Sequence, residues 1–322
     1  MDSGRDRELL LKIIPLLASE RGMRMRLDAE ASSADLFATF RALVNTRPAM
    51  PADGELLSLQ DELLQKMIAD KGIATVDDAE ESPLDPRLRL WRGDITTFAA
   101  DAIVNAANSQ MLGCWVPGHS CIDNAIHTFA GIQLRLACAR LMDEQGHEEP
   151  TGAAKVTPAF NLPACSVIHT VGPIASGTPL PIHRAQLAQC YRSCLDAASE
   201  HGLHSIAFCC ISTGVFGFPA DEAERLAVRT VRAWLDEADS KRLAQSLRSI
   251  GAACAAAGFG NAVAAASRAI ADRPGSALDE STLVTLALRA RDADDGAITD
   301  DGPDLAGYDR FITGNGGKEA GR

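Results

Sequence analysis

The order of apolar and polar positions divides the chain into three stretches. In the first, to about residue 80, Leu10, Ile13, Ile14 and Leu17 recur at helical spacing. Leu36, Phe40 and Leu43 repeat at three and four residues, with Ser32 or Ser33 as N-cap. Leu57, Leu59, Leu63, Leu64 and Met67 mark a third helix, set off from the second by Arg47-Pro48 and Met50-Pro51. The acidic run from Asp77 to Glu81, closed by Pro83, reads as a linker. From about residue 87 the period changes. Residues 87–91 (ending at Gly93), 102–105, 166–171 (closed by Gly172-Pro173) and 205–211 predict short strands, and the last is continuous enough in apolar residues to be buried on both faces. Residues 123–142, 184–201 and 221–235 carry helical periodicity, the second closed by Gly202. Strands alternating with crossover helices predict an α/β domain with a mixed or largely parallel sheet and a ligand site at the carboxyl ends of its strands. The last stretch is rich in Ala and Gly over 251–271 and acidic over 292–304, and no strand pattern stands out between 240 and 260. The expected organisation is a helical extension over 1–82, an α/β domain over 83–236 and a divergent, partly disordered segment over 237–322.

Composition narrows the function classes. The chain has 322 residues, 46% hydrophobic and 23% charged, which is enough to build a core without staples. Its 31 basic and 43 acidic residues give a net charge of −12, which argues against a nucleic-acid backbone as partner. Aromatics at 5% also disfavour a base-stacking surface. The odd number of cysteines, nine, scattered over a long chain points to reduced thiols. The early run from Leu9 to Leu17 is broken by Lys12 and Pro15, and nothing reads as a signal peptide or a membrane span. A soluble cytoplasmic protein without membrane or nucleic-acid partners is the expectation.

Four loops carry candidate chemistry. Cys114, His119 and Cys121 form a C-x4-H-x-C pattern between a strand and a helix. Thiolate and imidazole suit zinc, and three ligands leave one position open, as in catalytic sites; ordinary loop residues beside a buried thiol would give the same pattern. Gly214 and Gly217, after a strand and before a helix, let backbone N–H groups approach a phosphate, or simply build a tight turn. Asp94 could accept from an exocyclic amine or cap a following turn. Asn105 and Asn108 could hold a sugar hydroxyl or make Asx turns. Asp123 could orient a water or cap the helix it opens, and His127 shares its helix face. His169 reads as structural. The remaining cysteines on or beside elements, Cys138, Cys165, Cys190, Cys194, Cys209 and Cys210, read as small buried hydrophobes.

Taken together, the loops resemble the zinc-dependent macrodomain family of protein-ADP-ribose hydrolases. The resemblance lies in Gly113 to Gly131, in Asn105-Ala-Ala-Asn108, in Val167 to Pro173 and in Ile211 to Pro219. It extends to the helical region through Asn45 to Pro48 and Leu59 to Leu63. It implies a three-layer α/β/α macrodomain with a mixed sheet behind a helical N-terminal extension. It further implies that Asp94 and Ile95 face the adenine and that Asn105 belongs to the ligand pocket. The backbone of Ser212, Thr213, Gly214, Val215 and Phe216 would hold the pyrophosphate. Asn108 and Phe216 would meet the distal ribose. Cys114, His119 and Cys121 would bind Zn2+, and Asp123 would be the acidic residue of the catalytic loop. The implied reaction removes mono-ADP-ribose from protein side chains, in association with a sirtuin-type ADP-ribosyltransferase. A non-catalytic ADP-ribose reader and an O-acetyl-ADP-ribose deacetylase are the alternatives. Family members also end in a further strand, which the sequence over 240–260 does not show.

Overall fold

The computed structural model describes residues 4–28, 30–83, 85–239 and 283–286. Three helices open the chain: α1 (Gly4–Ser19), α2 (Ser33–Asn45) and α3 (Gly54–Lys71). Helix α1 buries Leu9, Leu10, Ile13, Ile14 and Leu17 and packs on α2 and α3. It accommodates Pro15 because the ring faces outward while the apolar stripe is fixed by packing. Ser32 caps α2, accepting the Asp35 N–H at 3.1 Å, and Asp53 caps α3, accepting from Glu55 N–H at 2.8 Å. The buried face of α3 is Leu56, Gln60, Leu63, Leu64 and Met67; Leu57 and Leu59 lie at its margin.

The acidic segment after α3 is not a linker. It forms β1 (Ala74–Thr75), a 3-10 turn at Val76–Asp78 and β2 (Glu80–Glu81). β2 is the outermost strand of the main sheet, where carboxylates discourage pairing with another chain. Then follow β3 (Leu88–Leu90), β4 (Phe98–Ala99), β5 (Ala102–Ala107), α4 (Ile122–Ala130), α5 (Ile132–Gln145), β6 (Ala154–Pro158), β7 (Ser166–Val171), α6 (Pro181–Glu200), β8 (Ser205–Phe208), α7 (Ala220–Asp239) and β9 (Leu283–Leu286). β1 and β4 pair as a small parallel ribbon. The seven-stranded sheet has the order β2-β3-β9-β8-β5-β7-β6, parallel inside and antiparallel at both ends.

Three differences from the sequence reading have physical causes. The helix expected over 123–142 is two helices. Gly131, at φ +96°, turns the chain between them, and a Cβ there would lie 2.6 Å from Gln60 Nε2. Gln60 of α3 then accepts the Ile132 N–H at 3.0 Å, capping α5 from another element. Strand β6 was not anticipated; Ala154–Pro158 is an outer strand of mostly half-buried residues, so it lacks a clean alternation. The strand sought over 240–260 is supplied by Leu283–Leu286, which pairs parallel with both β3 and β8. The rest of the expectation for 237–322, past the end of α7 at Asp239, lies outside the described residues.

Period-two alternation sorts the two helical layers. His169 on β7 faces α5, with Cys138 Sγ 3.7 Å from its ring. Thr170, the next residue, faces the opposite way and meets Cys190 and Cys194 of α6. Helices α4 and α5 thus cover one face of the sheet, with the extension packed outside α4, and α6 and α7 cover the other. This is the three-layer α/β/α arrangement with a mixed sheet. Among the described residues no helix is long and apolar enough to cross a membrane.

Candidate active site

Strand β5 delivers two asparagines to the start of α4. Asn105 is fully buried, opposite His169 in the parallel register of β5 and β7. Its Nδ2 donates to Asp123 Oδ1 at 2.8 Å and lies 3.1 Å from His169 Nδ1. Asn108 reaches Asp123 Oδ2 at 3.3 Å and the Gly113 carbonyl at 3.1 Å, while its Oδ1 accepts the Gln110 N–H at 3.0 Å. Asn108 therefore builds an Asx turn and still aims its amide at the carboxylate.

Asp123 does not cap α4. That position belongs to Cys121, whose sulfur accepts the Asn124 N–H at 3.4 Å. Asp123 sits two residues further, in the first turn, buried, and burial pushes its carboxyl up to about 6 against the opposing pull of Asn105, Arg135 and Asn108. His127, one turn on, places Nε2 3.6 Å from Asp123 Oδ1. Burial, aided by His169 and Arg135, holds its ring well below the usual histidine range, so it is neutral. Gly113 takes φ +78° under that ring, and a Cβ there would stand 2.7 Å from His127 Cγ. His169 is pushed down to about 3 by burial and bonds Thr157 Oγ1 at 2.9 Å, which fits its structural reading.

The loop from Gly113 to Cys121 brings Cys114, His119 and Cys121 together, with ligand atoms all within 4.8 Å of one another. Cys114 Sγ stands 3.6 Å from His119 Nδ1, and all three side chains are half-buried. Burial, with Cys114 and Asp123 nearby, pushes the Cys121 thiol up. A divalent cation would reverse that preference, and two sulfurs with one imidazole are a zinc donor set, so the residues fit the metal. Arg41 of α2 donates to the His119 carbonyl at 2.9 Å. Asn45 of α2 accepts the Gly118 N–H at 3.0 Å. Arg135 donates to the Leu112 carbonyl at 2.6 Å and lies 4.2 Å from the Trp115 ring centroid.

The remaining loops line up beyond these. Asp94 caps the 3-10 turn Ile95–Thr97, accepting the Thr96 N–H at 3.0 Å, and pairs with Lys71 of α3 at 2.8 Å. Ile95 beside it is buried. Ser212, at φ +67°, occupies the left-handed region against Gly172, where a side chain on the glycine would meet the Ser212 hydroxyl. Phe216 O accepts from the Ala175 and Ser176 N–H groups at 2.8 and 3.1 Å, tying this loop to the one after β7. The N–H groups of Gly214, Val215 and Phe216 bond to no other backbone group among the described residues. Thr213 is half-buried and Val215 is 78% exposed. Three successive free donors ahead of α7 are what an anion needs.

The structure thus gathers Asn105, Asn108, Asp123 and the metal loop into one contiguous site. Asp94 and Ser212 to Phe216 lie on separate loops of the same domain. Sequence reasoning gave no role to Arg41, Asn45, Lys71 or Arg135, which are remote in sequence from the loops they touch. Among the other cysteines, Cys138, Cys190, Cys194 and Cys209 are buried as expected, but Cys165 is exposed and Cys210 half-buried.

A family model for the Macro domain matches residues 104–227. A protein-ADP-ribose hydrolase of Treponema medium is 57% identical over 198 residues, covering 60% of this chain and 75% of the relative. One of Staphylococcus aureus is 48% identical over 211 residues, covering 65% and 79%. A solved Trypanosoma brucei macrodomain in complex with ADP-ribose is 32% identical over 62% of this chain and 84% of its own, with a TM-score of 0.45. With the matched family model and the two bacterial relatives in hand, the chain belongs to the Macro domain family.

Proposed function

We propose that the protein is a zinc-dependent protein-ADP-ribose hydrolase that releases mono-ADP-ribose from modified protein side chains. The names of the bacterial relatives support the reaction class. The observation that carries the zinc reading is the position of Asn108. One amide group bonds both Gly113, beside the ligand Cys114, and Asp123, so the metal loop and the buried carboxylate share one hinge point. Cys114, His119 and Cys121 would hold the zinc. Bound there, zinc would supply a Lewis acid next to the scissile bond.

The chain's own residues do the rest. The N–H groups of Gly214 to Phe216 bind the pyrophosphate without lysines, which reconciles an anionic ligand with a net charge of −12. Asp94 and Ile95 face the adenine, Asn105 backs the pocket, and Asn108 and Phe216 meet the distal ribose. Asp123, fixed by two amide donors, orients the attacking water and takes its proton. The modified protein would come from an ADP-ribosyltransferase, of the sirtuin type by the family resemblance. The test is release of free ADP-ribose from a mono-ADP-ribosylated protein together with metal content. Stoichiometric zinc with turnover supports the reading; tight ADP-ribose binding without release would make the protein a reader.

A further inference from the structure

We infer that helix α2 of the extension positions the metal loop through Arg41 and Asn45, so that the geometry of the Cys114–His119–Cys121 site is set from outside the α/β domain. This rests on the zinc reading above. The loop has little order of its own. Within residues 112–120 the one bond between backbone groups is His119 N–H to the Val116 carbonyl, at 3.2 Å. Asn108 and Arg135 of α5 hold its start, at the Gly113 and Leu112 carbonyls, and the anchors of its middle and end come from α2 and α4. Asn45, 1% exposed, accepts the Gly118 N–H at 3.0 Å and the Asn124 amide at 2.9 Å, while donating to Thr128 Oγ1 at 3.0 Å. Asn124, fully buried, passes the restraint on by donating to the Val116 carbonyl at 3.0 Å. Arg41 closes the circuit. Its guanidinium donates to the His119 carbonyl at 2.9 Å and to Asn124 Oδ1 at 2.7 and 3.0 Å.

The choice of residues matches the task. The planar guanidinium fork holds a ligand's carbonyl and an amide oxygen in a fixed mutual geometry, which the compact, freely rotating ammonium of a lysine does not. Arg41 is also half-buried and close enough to feel the sulfurs of both Cys114 and Cys121. Zinc with two thiolates is electrically neutral, so the guanidinium adds a positive charge beside the ligand set. Residues that orient metal ligands from outside typically change metal affinity by about 10- to 100-fold when removed.

The test uses the full chain as wild type, Arg41→Ala, Arg41→Lys, Asn45→Ala and Asn45→Asp. Lys71→Ala, which severs a contact between α3 and Asp94 away from the loop, serves as control. Three quantities are read: the rate of zinc transfer to a chromogenic chelator, the absorption spectrum of the cobalt-substituted site, and hydrogen exchange of residues 112–121 in metal-free protein. Expected are about 10- to 100-fold faster zinc release and an altered cobalt spectrum for Arg41→Ala and Asn45→Ala. Arg41→Lys should fail to rescue, Asn45→Asp should keep Gly118 N–H protected through its remaining oxygen, and Lys71→Ala should match wild type. If wild type holds stoichiometric zinc and both alanine variants release it at the wild-type rate with an unchanged spectrum, the inference is overturned. If wild type binds no metal, the zinc reading fails instead. The metal-free exchange then decides whether α2 orders the loop: faster exchange in the two variants sustains it, and unchanged exchange removes it. Should an alanine variant not fold, Arg41→Lys, expected to release zinc faster than wild type, carries the comparison in its place.

Discussion

Among the described residues two clusters have the composition of a metal site, and they differ in burial and in what their donors already hold. Cys114, His119 and Cys121 are half-buried on one loop, while His127, Cys138 and His169 are fully buried between α4, α5 and β7. In the buried cluster His169 is already engaged, with Asn105 on one ring nitrogen and Thr157 on the other. Burial pushes the Cys138 thiol up to about 12 and the His169 ring down to about 3, the neutral forms that pack well. In the loop cluster a guanidinium stands by the sulfurs and solvent has access. Ligand chemistry alone does not make a site; the donors must also be accessible to an ion.

The largest expected effect breaks that comparison directly. Cys114→Ser or Cys121→Ser should abolish stoichiometric zinc and lower ADP-ribose release by at least about 10²-fold, whereas Cys138→Ser should leave metal content at the wild-type level. Metal analysis of the purified variants checks both halves, and loss of zinc in Cys138→Ser would reverse the assignment. Next, Asp123→Asn keeps the shape and one accepting oxygen, but it sets an NH2 against the amide of Asn105 or Asn108 and removes the proton acceptor. Turnover should fall about 10²- to 10⁴-fold while ADP-ribose affinity, measured by calorimetry, changes little.

A third effect concerns stability and sharpens the contrast from the buried side. The His169 ring titrates at about 3 when folded and near 6.5 when unfolded. Between those values the unfolded chain binds more protons, so stability is intact above about pH 6.5 and is lost as pH falls toward 3. The groups facing the ring are Asn105, Thr157, Cys138 and His127, with Asp123 behind Asn105. Asp123 acts in the opposite sense, since its folded carboxyl lies up at about 6 and takes its proton first. The difference between wild type and His169→Gln isolates the ring. Denaturant midpoints should show a flatter acid limb in the variant, by an amount on the order of a few kcal/mol. The smallest effect belongs to Lys71→Met. The pair with Asp94 is partly exposed, so stability should drop by less than about 1 kcal/mol.

Much of the α/β domain was legible because its signals are local. Residues 166–171, rich in β-branched residues and closed by Gly172-Pro173, form β7 over the same span. Ser32 caps α2 because the hydroxyl and the turn it closes are three residues apart. The break at Gly131 was not legible, because the apolar periodicity of 123–142 runs through it. What ends α4 there is the close approach of Gln60 and Asn161, residues far away in sequence. β9 was missed for a related reason. A short Leu-Val-Thr-Leu run becomes a strand when β3 and β8 offer it two edges, and its distance from α7 gives no hint. The metal loop stood out from its spacing, but the spacing carried no information on what holds it.

The sequence by itself determined the helical extension, the alternation of strands and helices and the loops that carry the candidate chemistry. Periodicity, caps and turn residues act within a few positions, and a chain can be read at that range. Only the tertiary structure decided which histidine and cysteine set stays accessible, that Cys121 rather than Asp123 caps α4, and that Arg41 and Asn45 reach the loop. Those outcomes depend on burial and on hydrogen bonds across about 80 residues of chain, where the polar group left without water takes whichever partner the packing brings.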